Sequence, residues 1–310
     1  MIFFKNNLPL LAALAGSLLL ATTGCQSQSA PFTAPRFPYQ TDTPQATFAL
    51  PDALKEVSGI TGAPVPGQLL AIQDERGVLY NLAASDGAII DSTWFWKPGD
   101  YEDLACVNDA IYVVKSSGTL YKLTKTQADT ARADKFNTNL NADFDVEGLC
   151  YDPAAQRLLL ACKAQPGDLA RQARSIYAFS LSDHTLSPEP VALIRRDAVE
   201  AFVQGCSNCP QRDKFLEDFN PSADDFHFNP SAIAIHPLSG HWYVLSSVGK
   251  LLLVIQPDGA VVNLIKLRKQ FHPQPEGLWF DANANLYISN EGNANTPGQI
   301  HRFQYEPSGR

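Results

Sequence analysis

The sequence has few positive charges, and they do not cluster. Lys and Arg number 24 against 32 Asp and Glu, which gives a formal net charge of −8. Nucleic-acid binders need clustered cations that displace phosphate counterions, so this balance argues against a nucleic-acid partner. The chain also lacks a P-loop, a dinucleotide fingerprint and a Gly-x-Ser-x-Gly elbow. No arrangement typical of a nucleophilic enzyme stands out, so the sequence favours a binding protein and leaves catalysis open.

The N-terminal hydrophobic run is too short to cross a bilayer as a helix. It extends from Leu8 to Ala21, follows the single charge of Lys5 and ends in Thr23-Gly24-Cys25. This layout is typical of a secretory signal peptide. Small residues directly before a Cys resemble a bacterial lipobox, in which the Cys is acylated after cleavage. We therefore predict a signal peptide over residues 1–24 and a lipid anchor, carrying palmitate, on Cys25. The alternative is a plain cleaved signal.

The residues after the predicted anchor bear on localisation. Bacterial lipoproteins retained in the inner membrane carry Asp directly after the acylated Cys, whereas this chain has Gln26. We therefore predict a protein of the cell envelope, attached to the outer membrane through its lipid. Residues 25–45 are rich in Ser and Pro and have little hydrophobic periodicity, which predicts a flexible linker.

The remainder of the chain, residues 46–310, repeats a five-residue signature. Its first and third residues are polar or acidic, its fourth is small in most copies, and its fifth is aliphatic. Its copies begin at Glu56, Asp100, Asp145, Asn229 and Gln274, so the steps are 44, 45, 84 and 45 residues. A second strand rich in Val, Ile, Leu and Tyr follows each copy, and in most copies a Gly-containing turn and further strands come next. A period near 45 residues is typical of a four-stranded propeller blade.

The long step of 84 residues leaves two interpretations. Residues 196–228 look unlike strands and have helical spacing at their start, so we interpret them as an insertion between two blades. The fold prediction is then an all-β, five-bladed propeller, with six blades as the alternative. The last unit has only three strands, and Ala46–Leu50 is predicted to supply the fourth and so close the ring.

The signature places oxygen-bearing side chains around the tunnel of such a propeller, because first strands line it. One column is Ser58, Glu102, Glu147, Ser231 and Glu276; the column two residues earlier is Glu56, Asp100, Asp145, Asn229 and Gln274. Lys115 and Lys163 are expected to pair with Glu102 and Glu147. The carboxylates left over would need a cation, and oxygen ligands favour calcium or magnesium. The predicted metal ligands are Glu56, Glu102, Glu147, Glu276, Asn290 and Glu291.

Two alternatives stand beside this metal site. The repeated Glu can instead be a structural clamp that accepts backbone N–H bonds from the next blade, with no ligand. Among the cysteines, Cys206-x-x-Cys209 lies in the insertion, and an oxidising compartment favours a local disulfide over a zinc site. The sequence leaves the pairing of Cys106, Cys150 and Cys162 open.

The order and spacing of these motifs resemble the SdiA-regulated protein family of the bacterial envelope. The residues that carry the resemblance are Leu54 to Ile60, Asp100 to Leu104, Phe144 to Leu149, Leu159 to Lys163, Pro275 to Leu278 and Ser289 to Gly292. The family implies a five-bladed propeller with calcium or another metal in its tunnel. Ser231 and Gln274 depart from the acidic pattern.

Two functions of different kinds fit the sequence. The first is a lipid-anchored propeller that holds a divalent cation and presents a surface to a small polar ligand or an envelope protein. The second is a metal-dependent hydrolase of the lactonase or phosphoesterase type, in which a tunnel carboxylate acts as general base.

Overall fold

The structure, a computed structural model, describes residue 1 and residues 31–125, 131–219 and 226–307. Cys25 and the predicted signal peptide from residue 2 onwards lie outside the described residues. Within these described ranges, twenty β-strands form five antiparallel sheets of four strands each. The protein is an all-β, five-bladed propeller, as predicted, and the six-bladed alternative is wrong.

Each blade is an antiparallel sheet whose strands follow one another from the tunnel to the rim. Blade 1 contains β2 (Val57–Gly62), β3 (Gln68–Gln73), β4 (Val78–Ala83) and β5 (Ile89–Trp94). Blade 2 contains β6 (Tyr101–Val107), β7 (Ala110–Lys115), β8 (Leu120–Lys125) and β9 (Ala131–Phe136). Blade 3 contains β10 (Val146–Asp152), β11 (Arg157–Cys162), β12 (Ala173–Ser180) and β13 (Ala192–Arg195). Blade 4 contains β14 (Pro230–Ile235), β15 (Trp242–Ser246), β16 (Leu251–Ile255) and β17 (Val261–Lys266).

The two ends of the domain meet in blade 5. Its inner strands are β18 (Pro275–Phe280), β19 (Leu286–Asn290) and β20 (Gln299–Phe303), and its outer strand is β1 (Ala46–Ala49). β1 pairs with β20 in antiparallel register, with Phe48 opposite Ile300. The predicted closure by the segment before the first signature is therefore confirmed. It pairs the outer edge of β20, which would otherwise invite association with other chains.

The hydrophobic core is divided into five clusters, one at each interface between neighbouring blades. The interface of blades 1 and 2, for example, buries Ile72 and Leu79 against Val113 and Tyr121. Both faces of a middle strand therefore lie in apolar surroundings. Runs such as Leu158-Leu159-Leu160 are continuous for this reason rather than alternating, because a strand buried on both faces has no polar side.

The insertion forms two helices on the outside of blades 3 and 4. α1 (Arg196–Gly205) follows β13 directly and contacts β13 and β17, the outer strands of the two blades; α2 (Arg212–Asp218) packs on α1. Phe202 and Phe215 extend the core cluster of this interface. Cys206 and Cys209 form a disulfide with a Cα–Cα distance of 5.6 Å, whereas Cys106, Cys150 and Cys162 are free thiols.

The flexible linker predicted over residues 25–45 differs from the structure in its second half. Residues 31–45, here named the N-terminal strap, lie against the propeller. Ala34 and Tyr39 are buried, and the Tyr39 hydroxyl donates to the carbonyl of Ala284 at 2.7 Å. Apolar side chains spaced among the prolines give the strap its contacts, and the proline content concealed them in the sequence. No helix within the described ranges has the length and apolar character of a membrane span.

Candidate functional site

A β-bulge interrupts the first strand of every blade at its signature. The pairing of the first two strands shifts between Tyr101 and Asp103 in blade 2 and between Val146 and Gly148 in blade 3. The same shift occurs in blades 1, 4 and 5. The residues left without a partner include Ser58, Glu102, Glu147, Ser231 and Glu276, the first column predicted from the sequence. A bulge re-aims a side chain, and here it turns this column towards the tunnel.

The bulged residues line a polar cavity at the end of the tunnel where the first strands begin. Its volume is about 290 Å³, and six of its ten lining side chains are carboxyls. The full lining is Ser58, Asp74, Asp100, Glu102, Glu147, Lys163, Ser231, Gln274, Glu276 and Glu291. Of the predicted metal ligands, the structure therefore brings together Glu102, Glu147, Glu276 and Glu291.

The residues that directly follow the second strands contribute to this site, and three of the five, Asp74, Lys163 and Glu291, line the cavity. These equivalent residues are Asp74, Ser116, Lys163, Ser247 and Glu291. The Nζ of Lys163 donates to Oε1 of Glu147 at 2.6 Å, as predicted, and lies 3.9 Å from Oδ2 of Asp145. Among the residues that the structure describes, Lys163 is the only cationic side chain that lines the cavity.

Two expectations fail through a shift of one residue in strand register. Lys115 pairs with Tyr101 across the sheet and Asn290 pairs with Pro275, so both lie one position before the residue of their blade that is equivalent to Lys163. A one-residue step turns a side chain to the other face. Lys115 therefore places its Nζ 5.5 Å from the centre of the Tyr101 ring and forms no ion pair with Glu102 in the described chain. Asn290 is buried outside the cavity lining.

Only part of the second predicted column lines the cavity. Asp100 and Gln274 line the cavity, whereas Glu56, Asp145 and Asn229 do not. Glu56 is exposed near the cavity, where its charge helps to raise the pKa of Asp74. Asn229 instead accepts a hydrogen bond from Arg174 at 2.9 Å.

Polar neighbours orient several of the cavity carboxyls. The hydroxyl of Ser116 donates to Asp100, and the side-chain amide of Gln274 donates to Glu291. Ser247 forms a side-chain hydrogen bond with Glu276. The sequence analysis did not identify Ser116 and Ser247. Each directly follows the second strand of its blade, which is the position of Lys163 in blade 3, and this equivalence would have indicated both residues.

The cavity carboxyls raise one another's pKa values because they are buried together. Burial, followed by the charge of Glu147, raises the pKa of Glu276 to about 8. Burial and the same neighbour also raise the pKa of Glu102, and more strongly. Burial raises the pKa of Glu147 to about 7 although Lys163 acts against it, and burial with Asp74 raises that of Glu291 to about 7. Several of these groups therefore hold protons at neutral pH when no other cation is present.

The clamps between inner strands are formed by other residues than the repeated Glu. Asp103 accepts the backbone N–H of Leu104 at 2.8 Å and that of Leu149, in the next blade, at 2.7 Å. The hydroxyl of Ser231 donates to the Pro275 carbonyl, and that of Ser289 donates to the Ser58 carbonyl. None of the hydrogen bonds described for Glu102, Glu147 or Glu276 comes from a backbone N–H. These three glutamates line the cavity.

The glycine of the signature permits this close approach of neighbouring blades. A Cβ on Gly277 would overlap the Ser289 hydroxyl and the Ser58 carbonyl oxygen, and one on Gly59 would overlap Asp103. The signature thus combines a bulged polar residue that faces the cavity with a residue small enough for the adjacent strand.

A larger cavity of about 670 Å³ opens at the other end of the tunnel, where the first strands end. Its lining is mostly aliphatic and aromatic and includes Leu149, Trp279 and Phe280. Its Arg157 lies 2.9 Å from Asp152 in an ion pair. The concentration of perturbed carboxyls places the candidate chemistry at the acidic end instead.

The side chains of the acidic cavity have the donor atoms that a hard metal ion requires. These donors are hard oxygens that suit calcium or magnesium. Burial, followed by repulsion from neighbouring carboxylates, raises the pKa values of Glu102, Glu276 and Glu291. No three His, Cys, Asp or Glu side chains of the described ranges already converge in a coordinating arrangement. The cavity thus has the donor chemistry for a divalent cation, and binding would require its carboxylates to turn towards a common point.

Comparison with known proteins identifies the family. The sequence profile described as SdiA-regulated matches residues 38–295. The chain belongs to the SdiA-regulated family. The match includes strands β1 to β19 of this SdiA-regulated propeller and the end of the N-terminal strap, and it stops before β20. No curated protein matches the chain.

Solved structures similar to this SdiA-regulated propeller include several enzymes. Glutaminyl cyclase of Myxococcus xanthus has a TM-score of 0.55 at 11% identity, over 85% of this chain and 96% of that one. A PQQ-bound aldose sugar dehydrogenase of Streptomyces coelicolor has a TM-score of 0.49 at 12% identity, over 85% of this chain and 100% of that one. At these identities the first likeness shows the fold alone, and the second carries no argument.

Proposed function

We propose that this SdiA-regulated propeller is a lipid-anchored protein of the cell envelope that binds a divalent cation, calcium by preference, in its acidic cavity. The observation that carries the proposal is the excess of carboxyls over cations: six carboxyls share about 290 Å³ with Lys163 alone. Glu102, Glu147, Glu276 and Glu291 would hold the ion, with Asp74 and Asp100 beside them. The ion would supply the positive charge that the cavity lacks.

Calcium is favoured over magnesium because the cavity is lined by side chains of several lengths from five blades. Calcium accepts six to eight oxygen ligands in flexible geometry, whereas magnesium demands a near-ideal octahedron and retains water. The serine hydroxyls of Ser58 and Ser231 add neutral oxygen donors to the carboxylates. A set of mixed donors with no preformed arrangement suits the more adaptable ion.

The acidic cavity opens beside the exposed Glu56, which gives the tunnel a polar entrance. A small polar ligand, or a polar segment of another envelope protein, would meet the bound cation there. The lipid on Cys25 and the outer-membrane placement would keep this entrance within the envelope.

The proposal is tested by metal content and calcium-dependent melting of the chain beginning at Gln26, before and after chelation. Elemental analysis is expected to find close to one divalent ion per chain. The melting temperature is expected to fall on chelation and to recover with calcium, because a ligand that binds only the folded state stabilises it. Glu276→Gln is expected to weaken calcium binding at least about tenfold, the factor that a loss of about 1.4 kcal/mol produces.

Glu189→Gln is the matched control, since Glu189 is exposed and lies outside the cavity. It is expected to bind calcium as the unmodified chain does. A chain with no metal, whose melting is unaffected by calcium, would contradict the proposed cation site. Acyl groups on the Cys25 peptide, detected by mass spectrometry, test the anchor separately.

A second function, a metal-dependent hydrolase of the lactonase or phosphoesterase type, is favoured by one observation. Burial raises the pKa of Glu147 to about 7, close to the value that suits a general base at neutral pH. The cation would polarise the substrate in such an enzyme. Turnover of a lactone or phosphoester panel that Glu276→Gln abolishes would support this function; metal binding without turnover of any panel member would support the binding function.

A further inference from the structure

The larger cavity at the end of the tunnel where the first strands end is here named the apolar cavity. One ring of its side chains lies two residues after the bulged residue of each signature. This first ring is aliphatic in all five blades and at most 3% exposed; it consists of Ile60, Leu104, Leu149, Ile233 and Leu278. Along every first strand, the lining therefore changes from polar to aliphatic within two residues.

A second ring explains why the tunnel is open at this end. It lies one residue further along each first strand, and all of its members line the apolar cavity: Thr61, Ala105, Cys150, Ala234 and Trp279. Four of the five blades thus carry a small side chain where the fifth carries tryptophan. Protein interiors are normally filled to close packing, and the small side chains leave the space of about 670 Å³ instead.

Trp279 forms one wall of the apolar cavity and does not close it. Its ring lies over Gly62 of blade 1, where an added Cβ would overlap the ring. Tyr287 packs against it with the ring centres 4.9 Å apart. The Trp279 side chain stays partly exposed although it lines the cavity. A glycine and a tyrosine therefore hold a broad, flat aromatic surface beside an open space.

The charges in the lining of the apolar cavity are balanced. Among the described residues that line it, Asp152 and Arg157 carry charge, and they form an ion pair at 2.9 Å. Burial lowers the pKa of His236, which also belongs to the lining, to about 4, so this histidine is neutral at neutral pH. A charged ligand would lose its water without gaining an opposite charge. The apolar cavity therefore favours uncharged molecules, in contrast to the acidic cavity.

We propose that the apolar cavity binds an uncharged, mostly apolar small molecule that stacks on Trp279. Its volume lies within the range of about 300–1,000 Å³ that is typical of small-molecule sites, which are mainly apolar with a few polar groups. Thr61 supplies a hydroxyl in the second ring, where it would meet a hydrogen-bonding atom of the ligand. The inference goes beyond the proposed cation site, because it concerns the opposite end of the tunnel and a separate set of residues.

The test uses N-phenyl-1-naphthylamine, an uncharged dye whose emission rises in apolar surroundings. The protein is the chain beginning at Gln26, which retains all twenty described strands. Titration is expected to show saturable binding of about one dye per chain. The matched probe is 8-anilinonaphthalene-1-sulfonate, which has the same rings and an added sulfonate. It is expected to bind at least about tenfold more weakly, because its anion would be buried without a partner.

Variants of the second ring assign the dye to this cavity. Trp279→Ala is expected to weaken dye binding at least about tenfold, because it removes the aromatic wall. Trp94→Ala is the matched control, since Trp94 is 50% exposed on the outer strand of blade 1 and lies outside the cavity lining. It is expected to bind the dye as the unmodified chain does. Ala234→Leu is expected to weaken binding by filling part of the space, and urea unfolding checks that each variant is folded.

Three results would overturn the inference. Equal dye affinity in Trp94→Ala and in a folded Trp279→Ala or Ala234→Leu would show that the dye binds elsewhere. Equal affinity for the dye and its sulfonate would contradict the selection of uncharged molecules. An absence of saturable binding would also overturn the inference, and a dimer in light scattering would then identify a second copy of the chain as the occupant.

The result is independent of the proposed cation site. Chelation is expected to leave dye binding unchanged, because calcium is proposed to bind at the acidic end. Glu276→Gln is likewise expected to lose calcium affinity and keep its dye affinity. A chain that binds the dye and no metal would contradict the cation site alone, whereas a chain that binds metal and no dye would contradict only the present inference.

Discussion

Asp103 is the residue that ties the inner strand of blade 2 to that of blade 3. It stands where the other signatures have Gly or Ala, and its two carboxyl oxygens accept the N–H groups of Leu104 and Leu149. Complete burial raises its pKa well above the usual range, against the effect of these two hydrogen bonds. The chain thus places a costly buried acid where an inter-blade contact needs two acceptors.

Replacing Asp103 with Ala is expected to lower the free energy of unfolding by about 3 kcal/mol, because two buried N–H groups would lose their acceptors. Urea unfolding at neutral pH measures the loss. Asp109→Ala, an exposed position in the same blade, is the control and is expected to stay within about 0.5 kcal/mol of the unmodified chain. Equal unfolding midpoints for the two variants would show that the clamp contributes nothing.

At the scale of elements, β1 is a short strand with one buried anchor. Of its four residues, only Phe48 is buried, and it joins the core cluster between blades 5 and 1 with Leu69 and Ile300. The pairing of β1 with β20 therefore depends on the Phe48 ring, the backbone ladder and a hydrogen bond between Thr47 Oγ1 and His301 Nδ1 at 2.8 Å.

Phe48→Ala is expected to lower the free energy of unfolding by about 4 kcal/mol, since a large buried side chain leaves a cavity that the surroundings fill only partly. Thermal melting and urea unfolding of the chain beginning at Gln26 measure this effect. Gln45→Ala, at an exposed position just before the same strand, should leave both almost unchanged. Loss of only a few tenths of a kcal/mol in Phe48→Ala would mean that β1 does not hold the ring closed.

The sequence predicted the elements well and the register poorly. Apolar runs of strand length recur in every blade. The sequence therefore predicted the positions of the strands, the insertion that begins at Arg196 and the closing strand. The sequence did not predict the bulges, because one extra residue in a strand does not visibly change its hydrophobic periodicity. That is why Lys115 and Asn290 were expected at the cavity, and Ser116 was missed.

The strap shows a second limit at the same scale. Pro and Ser content predicted a flexible linker, yet Ala34 and Tyr39 are buried against blades 3 to 5 and the insertion. Such contacts depend on the shape of a groove formed by residues far away in sequence. Composition cannot reveal a groove of that kind.

For the whole molecule, the pH dependence of stability reflects two opposing sets of groups, the buried histidines and the cavity carboxyls. Burial lowers the pKa of His236 and of His272 to about 4. The stability that these neutral histidines contribute is present above about pH 6.5 and is lost as the pH falls towards 4. Glu276 and Glu291 have raised pKa values of about 8 and 7, so the stability from their protonated forms is lost as the pH rises through these values.

The metal-free chain is therefore expected to melt at falling temperatures as the pH rises from about 6.5 to 8.5, because each extra proton bound by the folded state costs about 1.4 kcal/mol per pH unit. Calcium should flatten this decline, since it favours the ionised carboxylates. Differential scanning fluorimetry across this range, with and without calcium, measures both effects.

Glu276→Gln removes one of the titrating groups and should also reduce the slope of the metal-free chain, whereas Glu189→Gln should not. A melting temperature that stays constant or rises between these pH values in the absence of metal would contradict the carboxyl cluster as the source of the dependence.

The pairing of β1 with β20 also determines when the molecule can become complete during its synthesis. Among the strands of the described residues, β1 is made first and its partner β20 is made last. Throughout that interval the hydrogen-bonding edge of β1 and the ring of Phe48 have no partner. Contacts between such distant parts of a chain form slowly, and an unpaired strand is prone to aggregate. Synthesis therefore produces an open ring, which needs protection from other unfinished chains until its final strand has been made.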